Sequence, residues 1–455
     1  MHVPNGDVSW WWRDLGGAPA PRPALASDLD VDVAIVGAGY TGLWTAYYLK
    51  TLQPDLRIVV LEQRFAGFGA SGRNGGWLTN SVTGGRERYG RAAGSALQRA
   101  LNESVDEVIA IAGREGIDAD IVKGGELEVA RTPAQWARLR AAAAAEREWP
   151  HTDVEEMDAG AAASRIAIDG VRGAIWHPHC ARVHPAKLVS GLAATVERLG
   201  VPIFEDTRVM RIEPGRAVTE RGVVRAKHVI RATEGFTADL HGEHRTWLPM
   251  NSSMIVTDPL PASAWEAIGW AGRETLGDFA HVYMYAQRTA DDRIAFGGRG
   301  VPYRFGSRVD TDGETQPRTI AALAGLLYDF FPAAADAPIA HAWAGVLGVP
   351  RDWAATVGLD PATGLGWAGG YVGTGVTATN LAGRTLADLV LGRDTDIVRL
   401  PWVGHHAKRW EIEPLRWLAV TAIYSAYRAA DRAEASGSSD RTSVFAKGAD
   451  LIAGR

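Results

Sequence analysis

Only one of the 455 residues is cysteine, Cys180. No internal disulfide can form and no Cys-rich zinc or iron–sulfur site can be assembled. A single thiol also suits a reducing cytoplasm, the expected location. Long hydrophobic runs are missing: no stretch of about 18 or more uncharged apolar residues occurs, so no transmembrane segment is expected. Residues 1–6 lack a basic segment leading into an apolar one, so no secretory leader is expected either. Positive charge is not in excess. The formal net charge is −5 and the pI about 6.2, which leaves no electrostatic basis for nucleic acid as a partner. A G-x-S-x-G elbow is also lacking, and with it the case for a Ser/His/Asp hydrolase. Tryptophan, by contrast, is plentiful at 17 residues, and packing at domain seams is the expected use.

What is present begins with a βαβ pattern. Residues 31–36 form a β-branched run suited to a buried parallel strand, residues 43–52 read as helix, and residues 57–61 as a second strand. Helical spacing recurs at 91–116, 133–149 and 185–199, the last stopped by Gly200. Residues 209–226 break into a small β-meander, and 228–232 form a further strand. Residues 247–299 are mostly strand. A late strand at 365–368 is followed by a glycine-rich turn and a helix over 377–391. Residues 414–433 make an amphipathic helix, expected to pack on its own domain or at a homo-oligomer interface. The Ser/Gly stretch at 436–439 is expected to be mobile.

Gly37-Ala38-Gly39-Tyr40-Thr41-Gly42 reads G-x-G-x-x-G, and its context makes it specific. It follows a strand, opens a helix, and is closed by a second strand ending in Glu62. Gly37 permits the tight turn, Gly39 lets the backbone approach a pyrophosphate, and Gly42 lets helix and strand pack closely. The helix N-terminus offers free N–H groups to phosphate, and Glu62 can accept hydrogen bonds from a ribose diol. Where an NAD enzyme would continue with further βα units, this chain runs through Gln63 into a glycine-rich stretch, Gly67-Phe68-Gly69-Ala70-Ser71-Gly72-Arg73-Asn74-Gly75-Gly76. Such a stretch suits backbone laid against a flat ring system and a diphosphate.

On these motifs, with Ala232-Thr233-Glu234-Gly235 and Gly369-Gly370-Tyr371-Val372-Gly373-Thr374-Gly375-Val376, the chain resembles the FAD-dependent D-amino-acid oxidase/glycine oxidase superfamily. The nearest likeness is to its γ-glutamylputrescine oxidoreductase-like branch, over roughly residues 10–393. The resemblance implies a Rossmann-type FAD-binding domain of α/β architecture (residues 1–85, 181–246 and 341–400). Into it is inserted an α+β, mixed-sheet substrate domain (86–180 and 247–340), and a C-terminal helical extension follows (401–455). It implies that Ser71, Arg73 and Asn74 line the diphosphate and isoalloxazine, that the Val209 backbone pairs with adenine, and that Gly373, Thr374, Gly375 and Val376 face the pyrimidine edge. A helix opening near Thr377 would independently stabilise negative charge on a reduced flavin.

On the substrate side, His281, Tyr283, Tyr285 and Gln287 alternate with Val282, Met284 and Ala286. Period-two geometry puts the first set on one face, which either walls an amine pocket or faces solvent. Arg299 could bind a carboxylate bidentately or be a surface cation. Trp343 resembles a family position near the flavin, with a core tryptophan as the rival reading. The run His177-Pro178-His179-Cys180 with His184 offers metal ligands but no carboxylate, and no metal is expected.

The reaction expected is oxidation of a small amine or amino acid. A neutral amine passes hydride to flavin N5, the imine is hydrolysed to carbonyl plus amine or ammonia, and O2 is reduced to H2O2. Two departures from the family pattern stand out. Relatives use a substrate-domain lysine to help oxygen react, whereas no lysine lies between Lys227 and Lys408; a dehydrogenase with another acceptor therefore stays open, as, more remotely, does an NAD-dependent enzyme. Relatives also hold flavin through a cysteine in the C-terminal half. The only cysteine here is Cys180, so non-covalent FAD is expected.

Overall fold

The computed structural model describes residues 3–309, 312–437 and 439–453. Two eight-stranded sheets organise them. In the first, the order is Thr356–Asp360, Leu365–Gly369, Val223–Arg231, Leu29–Val36, Ile58–Leu61 and Ile203–Phe204. Leu29–Val36 runs parallel to both neighbours, with Ile35 opposite Ile230 and Val60. Ile58–Leu61 is buried at every position, as β-branched strands covered on both faces should be. The meander Val209–Glu213 and Arg216–Thr219 joins antiparallel to Val223–Arg231. The strand expected at 228–232 is the continuation of the last meander strand, not a separate element.

The second sheet is mixed: Ile339–Val349, Leu248–Thr257, Ile294–Gly298, Tyr285–Arg288, Thr275–Asp278, Glu126–Ala130, Gly173–His177 and Glu155–Asp158. Its one parallel pair is Thr275–Asp278 with Glu126–Ala130. Two expected boundaries shift. Ile339–Val349 pairs with Leu248–Thr257 over Leu248 to Thr257, so 341–349 belongs to this sheet and not to the dinucleotide-binding body. Helix Arg91–Glu115 buries Leu97, Leu101, Val105 and Val108 in the same core as Val33, Ile35 and Leu43. Its apolar stripe therefore places it with the first body, although it falls within 86–180. The helix Ala262–Ile268 also interrupts the expected strands.

An N-terminal arm crosses the seam between the bodies. Gly6 N–H donates to Ala342 O at 3.0 Å, Ser9 Oγ to Gly72 O at 2.7 Å, and Trp11 Nε1 to Asn74 O at 2.9 Å. Trp10, Trp11 and Trp12 are all buried there. At the other end, helix Leu415–Ser436 lies against loops of the second sheet. Part of the stretch expected to be mobile, Ser438, lies outside the described residues. The residues beyond it form helix Val444–Ala453, whose Ala446 and Ala449 pack on Tyr427 and Ala430. Among the described residues no helix is long and apolar enough to cross a membrane.

Candidate functional site

The glycine loop sits where the first sheet's strand Leu29–Val36 hands over to helix Tyr40–Leu52. Gly37 has φ +108°, and a Cβ there would lie 2.5 Å from Ala232 O. At Gly42 a Cβ would meet Gly37 O at 2.0 Å and Ile35 Cγ2 at 3.1 Å, so helix and strand touch backbone to backbone. Gly39 N-caps the helix and faces Ser71, whose Oγ accepts from Tyr40 N–H at 2.9 Å. Glu62 ends the second strand. Its Oε2 accepts from Ala38 N–H at 2.9 Å and its Oε1 from Arg64 N–H at 3.0 Å. Burial, with a further contribution from the Glu205 charge, raises its carboxyl above the usual range despite those N–H groups.

The glycine-rich stretch folds back over this helix end. Asn74 Nδ2 donates to Ala70 O at 3.1 Å and Ser71 O at 3.0 Å, and its Oδ1 accepts from Gly76 N–H at 2.8 Å. Arg73 is only 2% exposed. Its Nε donates to Phe68 O at 2.7 Å, and its guanidinium lies 4.4 Å from the centre of the Phe68 ring. It acts first as a strut for the loop. Gly72 is packed under Trp12 Nε1 and Gly67 O.

A cleft runs along these parts. Gly37, Gly39, Tyr40 and Thr41 line it, then Glu62 and Gln63, Ser71 and Asn74, Val209, Ala232 and Thr233, and finally Gly373, Gly375 and Val376. The sequence motifs, separated by more than 300 residues, thus converge on one groove. Gly42, Gly72 and Gly76 do not reach it; they are packing positions. A second cavity of about 440 Å³ lies between the loop and the second sheet. Arg73, Gly75 and Thr374 line it, with Tyr283, Tyr285 and Arg299. Ala70, Asn74, Leu347, Gly373 and Val376 line both spaces, so groove and cavity meet there. The N-terminus of helix Gly375–Leu391 points to that junction.

Two of the expected substrate-side residues do something else. Gln287 shares its strand face with Tyr285, but its Nε2 donates to Gly75 O at 2.8 Å and Val183 O at 3.1 Å. Trp343 is fully buried and its Nε1 donates to Arg73 O at 2.8 Å. Neither lines the second cavity; both brace the loop from the second sheet. The expected alternation begins only at Tyr285, because Asp278 accepts Met284 N–H at 2.9 Å and turns the chain before it. Tyr283 lies in that turn, 42% exposed, and accepts from Arg299 Nη2 at 3.2 Å. Tyr285 Oη meets Ser252 Oγ at 2.9 Å. The histidine-rich run is dispersed: His177 faces Glu126, His179 Asp153 and His184 Asp14. Cys180 is buried beside Thr275.

Several site residues carried no motif. Glu126, Glu128 and Asp278 bring three carboxylates to the second cavity; the alternation Glu126-Leu127-Glu128-Val129 was the available signal. Burial pushes Asp278 up to about 7. Glu234 lines the groove and ties two strand ends together, accepting from Tyr371 N–H at 3.0 Å and from Gly348 N–H. Burial pushes it from 4.5 up to about 7, against the pull of those N–H groups. A raised folded-state pKa means stability that is complete below about 4.5 and declines as pH rises to about 7. Glu234→Gln is accordingly expected to shrink the stability difference between about pH 5 and 8 by about 2 kcal/mol. Urea unfolding across that range measures it; an unchanged pH slope would refute the assignment.

Comparison with known proteins identifies the family and the fold. A family model described as "FAD dependent oxidoreductase" (DAO) matches residues 32–389. The chain is 30% identical over 383 residues to the γ-glutamylputrescine oxidoreductase of Escherichia coli strain K12, covering 82% of this chain and 86% of that protein. It is 28% identical over 408 residues to the probable oxidoreductase OrdL of Rhizobium meliloti strain 1021, covering 86% and 89%. Among solved structures, glycine oxidase from Geobacillus kaustophilus superposes with a TM-score of 0.69 at 21% identity, covering 83% of this chain and 99% of that one.

Proposed function

The chain belongs to the FAD-dependent oxidoreductase (DAO) family and is an FAD-dependent oxidoreductase of amines or amino acids; we propose that it breaks a C–H bond beside the nitrogen of a small amine, converting the C–N bond to an imine. Water then hydrolyses the imine to a carbonyl compound and ammonia or a smaller amine. The observation that carries this reading is the junction at Ala70, Asn74, Leu347, Gly373 and Val376, where groove and cavity share a wall. The groove fits FAD. Gly37 and Gly39 leave the phosphate approach free of side chains, Glu62 stands at the ribose position, and the long loop supplies the wall a flat ring needs. FAD, when bound, supplies a two-electron acceptor for the hydride.

The protein's part is positioning and exclusion of water. Asn74 shapes the loop at the junction. Tyr285, fixed by Ser252, walls the cavity opposite Gly75, where a Cβ would lie 2.7 Å from its ring. Arg299 is the cation available for a substrate carboxylate: its Nη1 is buried without a hydrogen-bond partner. Gln287 and Trp343 act through the loop they brace. Cys180 lines neither groove nor cavity, which supports non-covalent FAD. The proposed final acceptor is O2; the lack of lysine between Lys227 and Lys408 is the feature that keeps a dehydrogenase passing electrons elsewhere as the second reading.

The test is an anaerobic screen of amines and amino acids against the purified yellow protein. An amine is expected to bleach the flavin, and acid precipitation to leave the colour in the supernatant. Reduction only by alcohols or hydroxy acids would overturn the proposal. Reoxidation by air at the turnover rate would identify O2 as acceptor, and slow reoxidation another one.

A further inference from the structure

A small pocket of about 70 Å³ lies where the N-terminal arm meets the start of helix Pro185–Arg198. It shares no lining residue with the groove or with the second cavity. It does reach the supports of the glycine-rich loop: Trp11 and Gln287, which donate to Asn74 O and Gly75 O, both line it. Arg182 is also in its wall. That residue ends strand Cys180–Arg182, pairs with Trp77 and exchanges two backbone hydrogen bonds with Val122, at 3.0 and 3.1 Å, so its backbone cannot swing the side chain out to water. Arg182 is 5% exposed. Its Nε is buried without a partner, and among the described residues its guanidinium makes no hydrogen bond and no ion pair.

The carboxylates nearby are committed elsewhere. Asp120 gives both oxygens to Lys187 Nζ, at 3.0 and 2.9 Å. Asp291 accepts from Thr289 Oγ1 and from Arg293 Nε, each at 2.6 Å. Asp292 holds Arg273 at 3.0 Å and Arg288 at 2.7 Å. Asp14, exposed at the rim, faces His184 Nε2 at 3.3 Å. Of the cations gathered here, Lys187, Arg273, Arg288 and Arg293 each have an acid, and Arg182 has none. Burial first, and then the Arg273 charge, pull it below the usual arginine range, outweighing the charges of Asp120 and Asp291. A buried cation in that position lacks an anion. The helix reinforces the demand: its first turn, where His184 Nδ1 accepts the Lys187 N–H at 3.2 Å, brings the positive end of its dipole to the same pocket.

We propose that this pocket is a binding site for a small oxyanion, a carboxylate or inorganic phosphate, gripped by the Arg182 guanidinium at the start of helix Pro185–Arg198. The planar fork of a guanidinium matches two oxygens of either ion, and the volume admits such an ion but no cofactor. The site stands apart from the FAD groove and from whichever amine the second cavity takes. An anion held there ties the helix to Trp11 and Gln287, and through them to the loop that walls the flavin, so its occupancy slows the loss of FAD.

The experiment follows the FAD-loaded protein while sodium acetate or sodium phosphate replaces sodium chloride at constant ionic strength. The thermal midpoint and the rate of flavin release, read from the fluorescence of free flavin, are recorded for the wild type, Arg182→Met and Arg182→Lys. In the wild type at least one oxyanion is expected to raise the midpoint saturably, with half the effect at about 1 mM or below, and to slow flavin release severalfold. R182M should need at least ~10-fold more anion for the same response. Its midpoint in chloride should match or exceed that of the wild type, because a buried cation without an anion has been removed. R182K, which keeps the charge but not the fork, should respond between the two. A stronger response to acetate marks the occupant as a carboxylate, and a stronger one to phosphate marks it as phosphate; either upholds the site. A rise without saturation and equal in all three proteins is the general stabilising effect of such salts. That result, no rise in the wild type, or a saturable rise undiminished in R182M would overturn the proposal.

Discussion

Gly39→Val is expected to yield a folded but colourless protein, and Gly42→Ala a protein with a markedly lowered unfolding midpoint. The two glycines lie three residues apart in one motif, yet they meet different neighbours. At Gly42 a single added carbon would sit 2.0 Å from Gly37 O. That oxygen belongs to the turn linking the strand to its helix and cannot rotate away. The helix must therefore lift off Ile35 and Val33, both fully buried, and the expected cost is about 3 kcal/mol, at the upper end for overpacking. At Gly39 the nearest atom to an added carbon is Ser71 Oγ at 2.9 Å, the end of a side chain that can turn. The fold tolerates that. What suffers is the groove: a branched side chain stands where the phosphates must approach, and Ser71 is pushed off the Tyr40 N–H. FAD affinity should fall by at least ~100-fold, or about 2.7 kcal/mol. Flavin content after purification and the urea midpoint separate the effects. Yellow G39V protein with unaltered affinity would show that the phosphates do not lie on this loop.

This contrast also shows which parts of the site are legible in sequence. The Gly37–Gly42 turn and Glu62 answer to local requirements: a positive φ, a backbone contact, a strand end twenty residues on. Such requirements leave a mark at fixed spacing. Gly373 to Val376 is legible for the same reason, as a turn that opens a helix. Gln287 is a different case. Alternation with Tyr285 correctly gives its face, but the function of a face depends on what lies above it, and over Gln287 that is the backbone of Gly75 and Val183. Tyr283 is off the strand because Asp278 captures Met284 N–H, a local bond with no periodic signature. Glu128 reads as a strand residue from its own neighbours. Its relation to Tyr285 exists only through two strand pairings that bring residue 128 to 277 and 285. The N-terminal tryptophans were legible as seam residues, though not their hold on Gly72 and Asn74.

The same holds for the C-terminal extension, where Glu434→Ala should have a large effect at a distance from the groove. Glu434 Oε2 accepts from Arg138 Nη1 at 2.8 Å, and its Oε1 faces His281 Nε2 at 2.9 Å and accepts from Ser443 N–H at 2.9 Å. One turn earlier, Asp431 accepts the N–H groups of His281 and Val282 at 2.8 and 2.9 Å, and the Tyr427 ring stacks on His281 at 5.8 Å. Helix Leu415–Ser436 thus pins the turn that carries Tyr283, and Arg138, Ala280 and His281 line the cavity beside it. The Glu434 side chain is 5% exposed, His281 10% and Arg138 21%. Removing it strands a guanidinium and an imidazole with little water, at about 2–4 kcal/mol, a value kept below the fully buried case because Arg138 is partly solvated. Burial by itself would raise the Glu434 carboxyl; the Ser443 N–H, His281 and Arg138 outweigh it and hold it below the ordinary range. Its contribution is therefore present above that range and lost as pH falls through it, so wild type and E434A should converge in acid. With the turn released, the amine KM should rise severalfold while flavin content stays level, because no atom of Glu434 reaches the groove. Glu434→Gln, which keeps one acceptor oxygen for the Ser443 N–H but replaces the other with a donor and removes the charge, should fall between the two. Unchanged KM and unfolding midpoint in E434A would mean that the extension rests on the cavity without holding it.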